Sequence, residues 1–260
     1  MPHNFFELEN QLVDQLINLK ENFELCAIKA EFEAEGASLR DLFKLRVLTA
    51  RYNVPLYLKI GGVEALRDIK DAMELGVDGL IAPMVESPFG LMKFVGAVES
   101  VFGKRKLFKS MNIETRAAVE QIDDILEIAK GNIDNVTIGR TDLSLSYFDP
   151  MIKPDSSFII DLIERLSYKV QSSGMTLTIG GSLTVDSISL FKDRRRQLGG
   201  RVFSMETRKI VFTMGQMLDG KNALQEALRF EELFLCLKLE REEWFSKPEQ
   251  ERLVKLQKRL

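Results

Sequence analysis

The sequence is poor in the residues that most often do chemistry near neutral pH. It has one histidine, His3, close to the amino end, and two cysteines, Cys26 and Cys236, without the spacing of metal ligands. A Ser–His–Asp triad, a Cys–His pair and a histidine-rich metal site are therefore not expected in the body of the protein. Two cysteines in 260 residues also fit a reduced, cytoplasmic chain without a disulfide framework.

Long apolar runs and a one-sided charge are missing as well. No stretch of about 18 uncharged apolar residues is present, so we expect no membrane-spanning helix. The amino end runs into acidic and amide residues, so we expect no signal peptide. The net charge is −3, from 36 basic and 39 acidic residues, which predicts no nucleic-acid partner and no membrane partner. Chemistry must come from carboxylates, lysine, arginine and hydroxyl groups.

Short apolar strands alternate with amphipathic helices between residues 24 and 212, which predicts parallel βαβ units. In a chain of this length they indicate an α/β fold, most simply a TIM-type barrel. A doubly wound open sheet is the alternative, weakened because no GxGxxG follows the first strand. Seven strands are clear, whereas such a barrel has eight. Local signals mark helix starts, such as Ser38 with Asp41 in a capping-box pattern.

The segments that flank the barrel are predicted to be helical, within a single domain of residues 1–260. Residues 1–23 form an amino-terminal helix, and residues 221–260 form a carboxy-terminal helical extension. The long helix of this extension is expected to run to about Phe245, and Pro248 is expected to break it.

The carboxy-terminal helix is apolar on more than one face. We expect one stripe to cover the barrel, namely Leu224, Leu228, Leu235 and Leu239. Large side chains on other faces are Phe230, Phe234, Leu237 and Trp244. A helix apolar on several faces is normally buried on several sides, so we expect a homo-oligomer in which a second subunit covers this helix. The alternative is that residues 246–260 fold back over it.

Polar side chains collect where the predicted strands end. The carboxyl ends of barrel strands form the active-site mouth, so these side chains are expected to converge. The strand-end set comprises Lys29, Glu31, Glu33, Lys59, Glu86, Asn112, Glu114, Arg140, Asp142, Glu206 and Arg208. Taken singly, a charge such as Glu86, Glu206 or Arg208 is more often a helix-cap partner or a solvated loop residue.

Within this set, the residues suggest one cation site and one anion site. Glu114 and Asp142 follow adjacent strands, and two hard oxygen ligands that face one cavity suit Mg²⁺ or Mn²⁺. Lys59 precedes Gly61 and Gly62 at a predicted helix start, where exposed amides favour a carboxylate or phosphate. The alternative is a simple glycine turn beside a solvated lysine.

Residues 107–147 carry a specific resemblance. The segments Ile113-Glu114-Thr115, the helix over 118–128 and Ile138–Ser144 resemble the HpcH/HpaI aldolase and citrate lyase β-subunit family, of the phosphoenolpyruvate/pyruvate barrel superfamily. Residues 76–87 and the order of elements are similar as well. The resemblance implies that Glu114 and Asp142 bind a divalent metal and that Asn112 contacts a 2-oxo acid.

The resemblance is incomplete at two positions. Lys59 stands where the family has a catalytic arginine, and lysine keeps the charge but lacks the planar fork that binds a carboxylate bidentately. The aldolase branch has a base histidine after its first matching strand, where this chain has Glu31, Glu33 and Ala34.

The function predicted from these residues and this resemblance is a metal-dependent carbon–carbon lyase or aldolase acting on a small 2-oxo acid through a pyruvate-like enolate. Lys59 would place positive charge beside the keto oxygen, and Glu33 or a metal-bound water would move the hydroxyl proton. The remaining candidates for substrate binding are Asn112, Lys29, Glu31, Glu86, Gly61, Gly62 and Arg140. Open alternatives are an acyl-CoA lyase or a phosphoenolpyruvate enzyme of the same superfamily, and a non-catalytic ligand-binding barrel.

Overall fold

The computed structural model describes residues 5–32 and 35–259. Eight strands close into a barrel in chain order, which confirms the predicted TIM-type fold. They are β1 (Leu25–Glu31), β2 (Leu56–Lys59), β3 (Gly79–Ala82), β4 (Phe108–Ile113), β5 (Asn135–Gly139), β6 (Thr176–Gly180), β7 (Ser204–Glu206) and β8 (Ile210–Thr213).

The eighth strand corrects the predicted count of seven and shows how the barrel closes. Strands β1 to β7 pair in parallel, whereas β8 runs antiparallel to both β7 and β1. A tight hairpin joins β7 to β8, with the Thr207 N–H donating to the Ile210 carbonyl at 2.9 Å. Because no helix separates the two strands, β8 is not recognisable as a further strand–helix unit.

Helices surround this barrel on the outside. Those in the described part of the chain are α1 (Phe5–Asn22), α2 (Leu39–Arg51), α3 (Leu66–Leu75), α4 (Pro88–Phe102), α5 (Arg116–Glu120), α6 (Ile122–Ala129), α7 (Arg140–Leu145), α8 (Ser157–Ser172), α9 (Val185–Asp193), α10 (Arg195–Leu198), α11 (Met214–Asp219) and α12 (Ala223–Gln257). Across the residues with described positions, none of these helices is long and apolar enough to span a membrane.

The start of α2 shows how local sequence sets a helix boundary. The Ser38 hydroxyl accepts a hydrogen bond from the Asp41 N–H at 3.3 Å, and the Asp41 carboxylate accepts one from the Ser38 N–H at 3.0 Å. These two bonds satisfy amides that the first helical turn leaves unpaired, so the predicted capping box is confirmed.

The long helix α12 departs from the prediction at its carboxyl end. Pro248 lies inside the helix, which continues to Gln257. Residues 246–257 therefore extend the helix and do not fold back over it.

The face of α12 turned towards the protein also differs from the predicted stripe. Its buried residues are Ala223, Leu224, Ala227, Phe230, Leu233 and Leu237, whereas Leu228, Leu235 and Leu239 are exposed. Polar contacts with α1 accompany this orientation of α12. Gln15 donates to the Glu226 backbone carbonyl at 2.9 Å and to its carboxylate at 2.8 Å, and Asn18 donates to that carboxylate at 3.0 Å. The side of α12 that carries Glu226 is thereby turned towards α1.

Candidate active site

A cavity of about 390 Å³ opens at the carboxyl ends of the barrel strands. Six of the predicted site residues line it, namely Lys29, Glu31, Lys59, Asn112, Glu114 and Asp142. Other polar lining residues are Thr137, Thr141, Ser182, Glu206, Thr207 and Arg208, and α12 contributes Leu228 and Glu231. The barrel topology thus brings together side chains that are up to two hundred residues apart in sequence.

One wall of this cavity is a network of alternating charges. The Lys29 ammonium donates to Glu206 at 2.5 Å and lies 3.5 Å from Glu31 Oε1. Glu31 Oε2 in turn lies 3.2 Å from Lys59 Nζ and 3.8 Å from Arg208 Nη1. Because Glu31 is shared by three cations, it holds Lys29 and Lys59 side by side at the mouth.

The pKa values in this network follow from the pairing. Burial acts to raise the pKa of Glu31, but the ammonium groups of Lys29 and Lys59 outweigh it and hold that pKa below its usual range. Burial acts to lower the pKa of Lys29, and Glu206 and Glu31 outweigh it, so this pKa is raised. Lys29 is therefore a charged group and a poor nucleophile, and Glu31 is a weak base.

Another part of the lining carries Glu114, a carboxylate without an ion-pair partner in the described part of the chain. Glu114 accepts hydrogen bonds from the Met84 N–H at 2.9 Å and from the Asn112 amide at 3.1 Å. Burial nevertheless raises the pKa of Glu114, and the nearby charge of Asp142 adds to the rise. A side chain at Gly139 would place its Cβ only 2.5 Å from Glu114 Oε2, so glycine is required there. This pair of carboxylates would be stabilised by a cation between them.

The residues present fit a hard divalent cation. The described part of the chain holds no cluster of three or more His, Cys, Asp or Glu side chains suited to a metal ion. A cation here would therefore take Glu114 and Asp142 and complete its shell with water and substrate, as Mg²⁺ usually does. Three basic and five acidic side chains line the cavity, an excess of two negative charges. A divalent cation would balance that excess.

Four predicted substrate-binding residues do not line this cavity, and Gly61, Gly62 and Glu86 are three of them. The helix α3 begins only at Leu66, and the Gly61 N–H already donates to the Asp68 carboxylate at 2.7 Å. Gly61 and Gly62 therefore form a turn and not the predicted amide cradle. Glu86 is exposed, and its backbone carbonyl accepts a hydrogen bond from the Gln121 side chain.

Arg140 is placed behind the cavity and not within it. Its side chain is fully buried, and it donates to the Gly180 carbonyl at 3.1 Å, to the Gly181 carbonyl at 2.6 Å and to the Asp155 carboxylate. Because β5 ends at Gly139, Arg140 opens α7 and fastens it to β6. The predicted base Glu33 lies outside the described residues.

Four further lining residues were not predicted as site residues from the sequence, namely Glu206, Arg208, Leu228 and Glu231. Glu206 and Arg208 line the cavity, although the sequence around each, taken alone, favours a helix-cap partner or a solvated charge. Their position at the carboxyl end of a strand is the sequence signal that could have identified them as site residues. Leu228 and Glu231 had no such signal, because only the packing of α12 brings them to the mouth.

A second charged cavity of about 330 Å³ adjoins the first, and the two share Arg208 and Glu231. Lys209 lies in its wall, is 1% exposed, pairs with Glu35 and lies over the Phe234 ring at 4.3 Å. Burial lowers the pKa of Lys209 even though Glu35 acts to raise it. This pair ties the β7–β8 hairpin to the segment that precedes α2.

Comparison with known proteins identifies similar folds. No protein-family model and no curated protein matches this chain. An HpcH/HpaI aldolase from Desulfitobacterium hafniense DCB-2 superposes with a TM-score of 0.60 at 15% identity, covering 75% of this chain and 82% of that one. An HpcH/HpaI aldolase/citrate lyase family protein from Burkholderia cenocepacia J2315 superposes with a TM-score of 0.59 at 14% identity, covering 76% of this chain and 83% of that one. The citrate synthase SbnG superposes with a TM-score of 0.57 at 16% identity, covering 78% of this chain and 82% of that one. This chain therefore has the barrel fold of the HpcH/HpaI aldolase and citrate lyase family structures.

Proposed function

We propose that this protein is a metal-dependent carbon–carbon lyase that cleaves a small 4-hydroxy-2-oxo acid into a 2-oxo acid such as pyruvate and an aldehyde. The observation that carries the proposal is the acidic cavity at the carboxyl end of the barrel. With two excess negative charges in its lining, it would repel an anionic 2-oxo acid unless a divalent cation were bound. The similar folds include proteins named as an aldolase and as a citrate synthase, names for enzymes that break or make carbon–carbon bonds.

Glu114 and Asp142 are the residues proposed to hold the cation, Mg²⁺ or Mn²⁺. When bound, the cation supplies a Lewis acid that stabilises negative charge on the keto oxygen of the substrate. Asn112 supports Glu114 through its amide hydrogen bond of 3.1 Å. Its Oδ1 atom is buried without a hydrogen-bond partner in the described residues, so it offers an acceptor for a substrate hydroxyl or a water molecule.

Lys59 is proposed to stabilise the enolate from the other side. Its side chain is 13% exposed and is held by Glu31 at 3.2 Å, so its orientation is set before substrate arrives. A fixed positive charge in a poorly solvated site favours the state in which negative charge develops on oxygen. The Lys29–Glu206 pair lies against Glu31 and limits its movement.

The experiment is a screen of pyruvate and related 2-oxo acids with small aldehydes, with and without Mg²⁺ or Mn²⁺, for carbon–carbon bond formation. We expect products only with metal. A Glu114→Gln variant should lose metal affinity by calorimetry, whereas Glu127→Gln, which removes an exposed carboxylate paired with Lys130, should bind metal normally. If no 2-oxo acid reacts with any aldehyde in the presence of metal, the lyase proposal fails.

One observation favours a second candidate, a barrel that binds a ligand without turnover. Lys29 and Lys59 already have carboxylate partners in Glu206 and Glu31, so neither cation is left for a substrate carboxylate alone. A binding protein would take up a 2-oxo acid with metal in calorimetry and form no product in the same screen.

A further inference from the structure

The proposed cleavage needs a base for the substrate hydroxyl, and the identity of that base matters only if the proposed function holds. Most carboxylates of the cavity are already engaged. Glu31 pairs with lysines and an arginine, and Glu206 accepts from Lys29. Glu114 accepts two hydrogen bonds, and Asp142 is its partner on the metal side. One carboxylate of the lining is left, and it lies on α12.

Glu231 on α12 is the fifth carboxylate that lines the cavity, and its side chain is 20% exposed. Neither of its carboxylate oxygens accepts a hydrogen bond in the described part of the chain, and its ion-pair partner there is Arg208, with Nε at 4.0 Å. A carboxylate that is largely buried, accepts no hydrogen bond and lines the same cavity is available for proton transfer.

The position of Glu231 is fixed although it lies far along the chain. On one side of it, Glu226 is bound by Gln15 and Asn18 of α1. On the other side, Arg241 pairs with the Asp41 carboxylate of α2. These contacts hold α12 over the mouth at both ends of the segment that carries Glu231.

We propose that Glu231 is the general base of the cleavage step. Its carboxylate takes the proton of the substrate 4-hydroxyl, and the O–H electron pair forms the carbonyl of the aldehyde. The C3–C4 bond breaks, and its electron pair forms the C2–C3 double bond of the enolate, with charge on the C2 oxygen. Protonation of C3 then yields the 2-oxo acid, and in the reverse direction the protonated Glu231 returns its proton to the new hydroxyl.

The surroundings of Glu231 suit a base. Burial raises its pKa, with Glu35 adding to the rise, while Arg208, Lys209 and Lys29 act to lower it. The net rise brings the pKa of this carboxyl closer to neutral pH, where a base is more effective. Glu31, by contrast, has a lowered pKa.

Two reactions separate this role from the rest of the site. Cleavage of 4-hydroxy-2-oxopentanoate needs the hydroxyl base, whereas decarboxylation of oxaloacetate forms the same enolate without removing a hydroxyl proton. With Mg²⁺ bound and the metal-only rate subtracted, we expect Glu231→Gln to lower kcat for cleavage by about 100-fold and to leave decarboxylation within about threefold. Glu232→Gln, its neighbour on the exposed side paired with Arg229, should change neither rate.

Three results would overturn the assignment. Cleavage by Glu231→Gln within about threefold of wild type would mean that another group is the base. An equal loss of both reactions would show a structural role. A wild-type protein that performs neither reaction would reject the lyase proposal itself, which is distinct from the first two outcomes. The Glu231→Asp variant should keep part of the cleavage activity and shift the acid limb of its pH–rate profile.

Discussion

At the residue scale, three glutamates of one cavity differ because of their neighbours. Glu31 is shared by cations, and its pKa is lowered. The pKa values of Glu114 and Glu231 are raised, chiefly by burial. The surrounding charges and burial therefore decide the role proposed for each glutamate: a fixed anion for Glu31, a metal ligand for Glu114 and a base for Glu231.

The fixed-anion role of Glu31 can be tested by stability. Glu31→Gln leaves the buried Lys29 and Lys59 with less compensation, so we expect a loss of about 3 kcal/mol in the free energy of unfolding at pH 7. Because the folded-state pKa of Glu31 is lowered, its contribution is present above about pH 5 and disappears as the pH falls through the folded pKa. Urea unfolding at several pH values should show that the free energies of unfolding of the variant and the wild type converge as the pH falls.

The matched control for Glu31 is an exposed glutamate in an ion pair. Glu9 lies 3.2 Å from Lys44, and Glu9→Gln should change the free energy of unfolding by less than about 0.5 kcal/mol. A Glu31→Gln loss no larger than the control would contradict the network described for the cavity.

The role proposed for Lys59 can be tested separately from metal binding. Lys59→Ala should lower kcat by about 100-fold, the typical effect of removing one donor that stabilises an oxyanion. Metal affinity, measured by calorimetry, should change little because Lys59 is not a ligand. Equal loss of metal binding would make the lysine structural, and improved turnover in Lys59→Arg would mean that lysine only substitutes for an arginine.

At the element scale, two serines precede helices with different consequences. Ser38 caps α2 with a side-chain hydrogen bond, whereas Ser156 precedes α8 without one, and its hydroxyl is buried and unpartnered in the described structure. Ser38→Ala should lower stability by about 1 kcal/mol. Ser156→Ala should be neutral or slightly stabilising because it removes an unsatisfied polar group.

Thermal unfolding of the two serine variants checks this pair. A similar loss of Tm in both would mean that the serine, and not its cap bond, matters. The sequence predicted the Ser38 cap because its partner Asp41 lies three residues away. It offered no comparable pattern at Ser156.

At the scale of the whole molecule, α12 leaves large apolar side chains uncovered. The exposed ones are Leu228, Leu235, Leu239, Trp244, Phe245, Leu253, Val254 and Leu256. The inner face of α12 packs on its own subunit, so an outer apolar face needs another partner. The proposed homo-oligomer through this helix would supply it.

Light scattering tests the assembly. We expect a dimer or larger for the full chain, and a monomer for a variant that carries both Leu239→Glu and Phe245→Glu. Phe148→Glu, a control at a residue outside α12 that is 94% exposed, should leave the assembly intact. A monodisperse wild-type monomer at micromolar concentration would refute the proposal.

The sequence alone predicted the barrel fold and six of the residues that line its mouth. Apolar periodicity and capping patterns involve residues that are close together in sequence. Seven of the strands, the main helices and the Ser38–Asp41 capping box could therefore be predicted. Parallel strands share one carboxyl edge, so the meeting of Lys59, Glu114 and Asp142 in one cavity was readable too.

Only the tertiary structure decided the rest, because it depends on contacts between distant segments. Strand β8 closes the barrel as an antiparallel partner of β1, which lies almost two hundred residues earlier. The Arg140 side chain lies behind the cavity because the backbone carbonyls of Gly180, which ends β6, and of Gly181 accept its hydrogen bonds. Glu231 reaches the mouth through the packing of α12, whose Glu226 is bound by Gln15 and Asn18 of α1. Local sequence patterns predict none of these three results, because each depends on contacts between residues that are far apart in sequence.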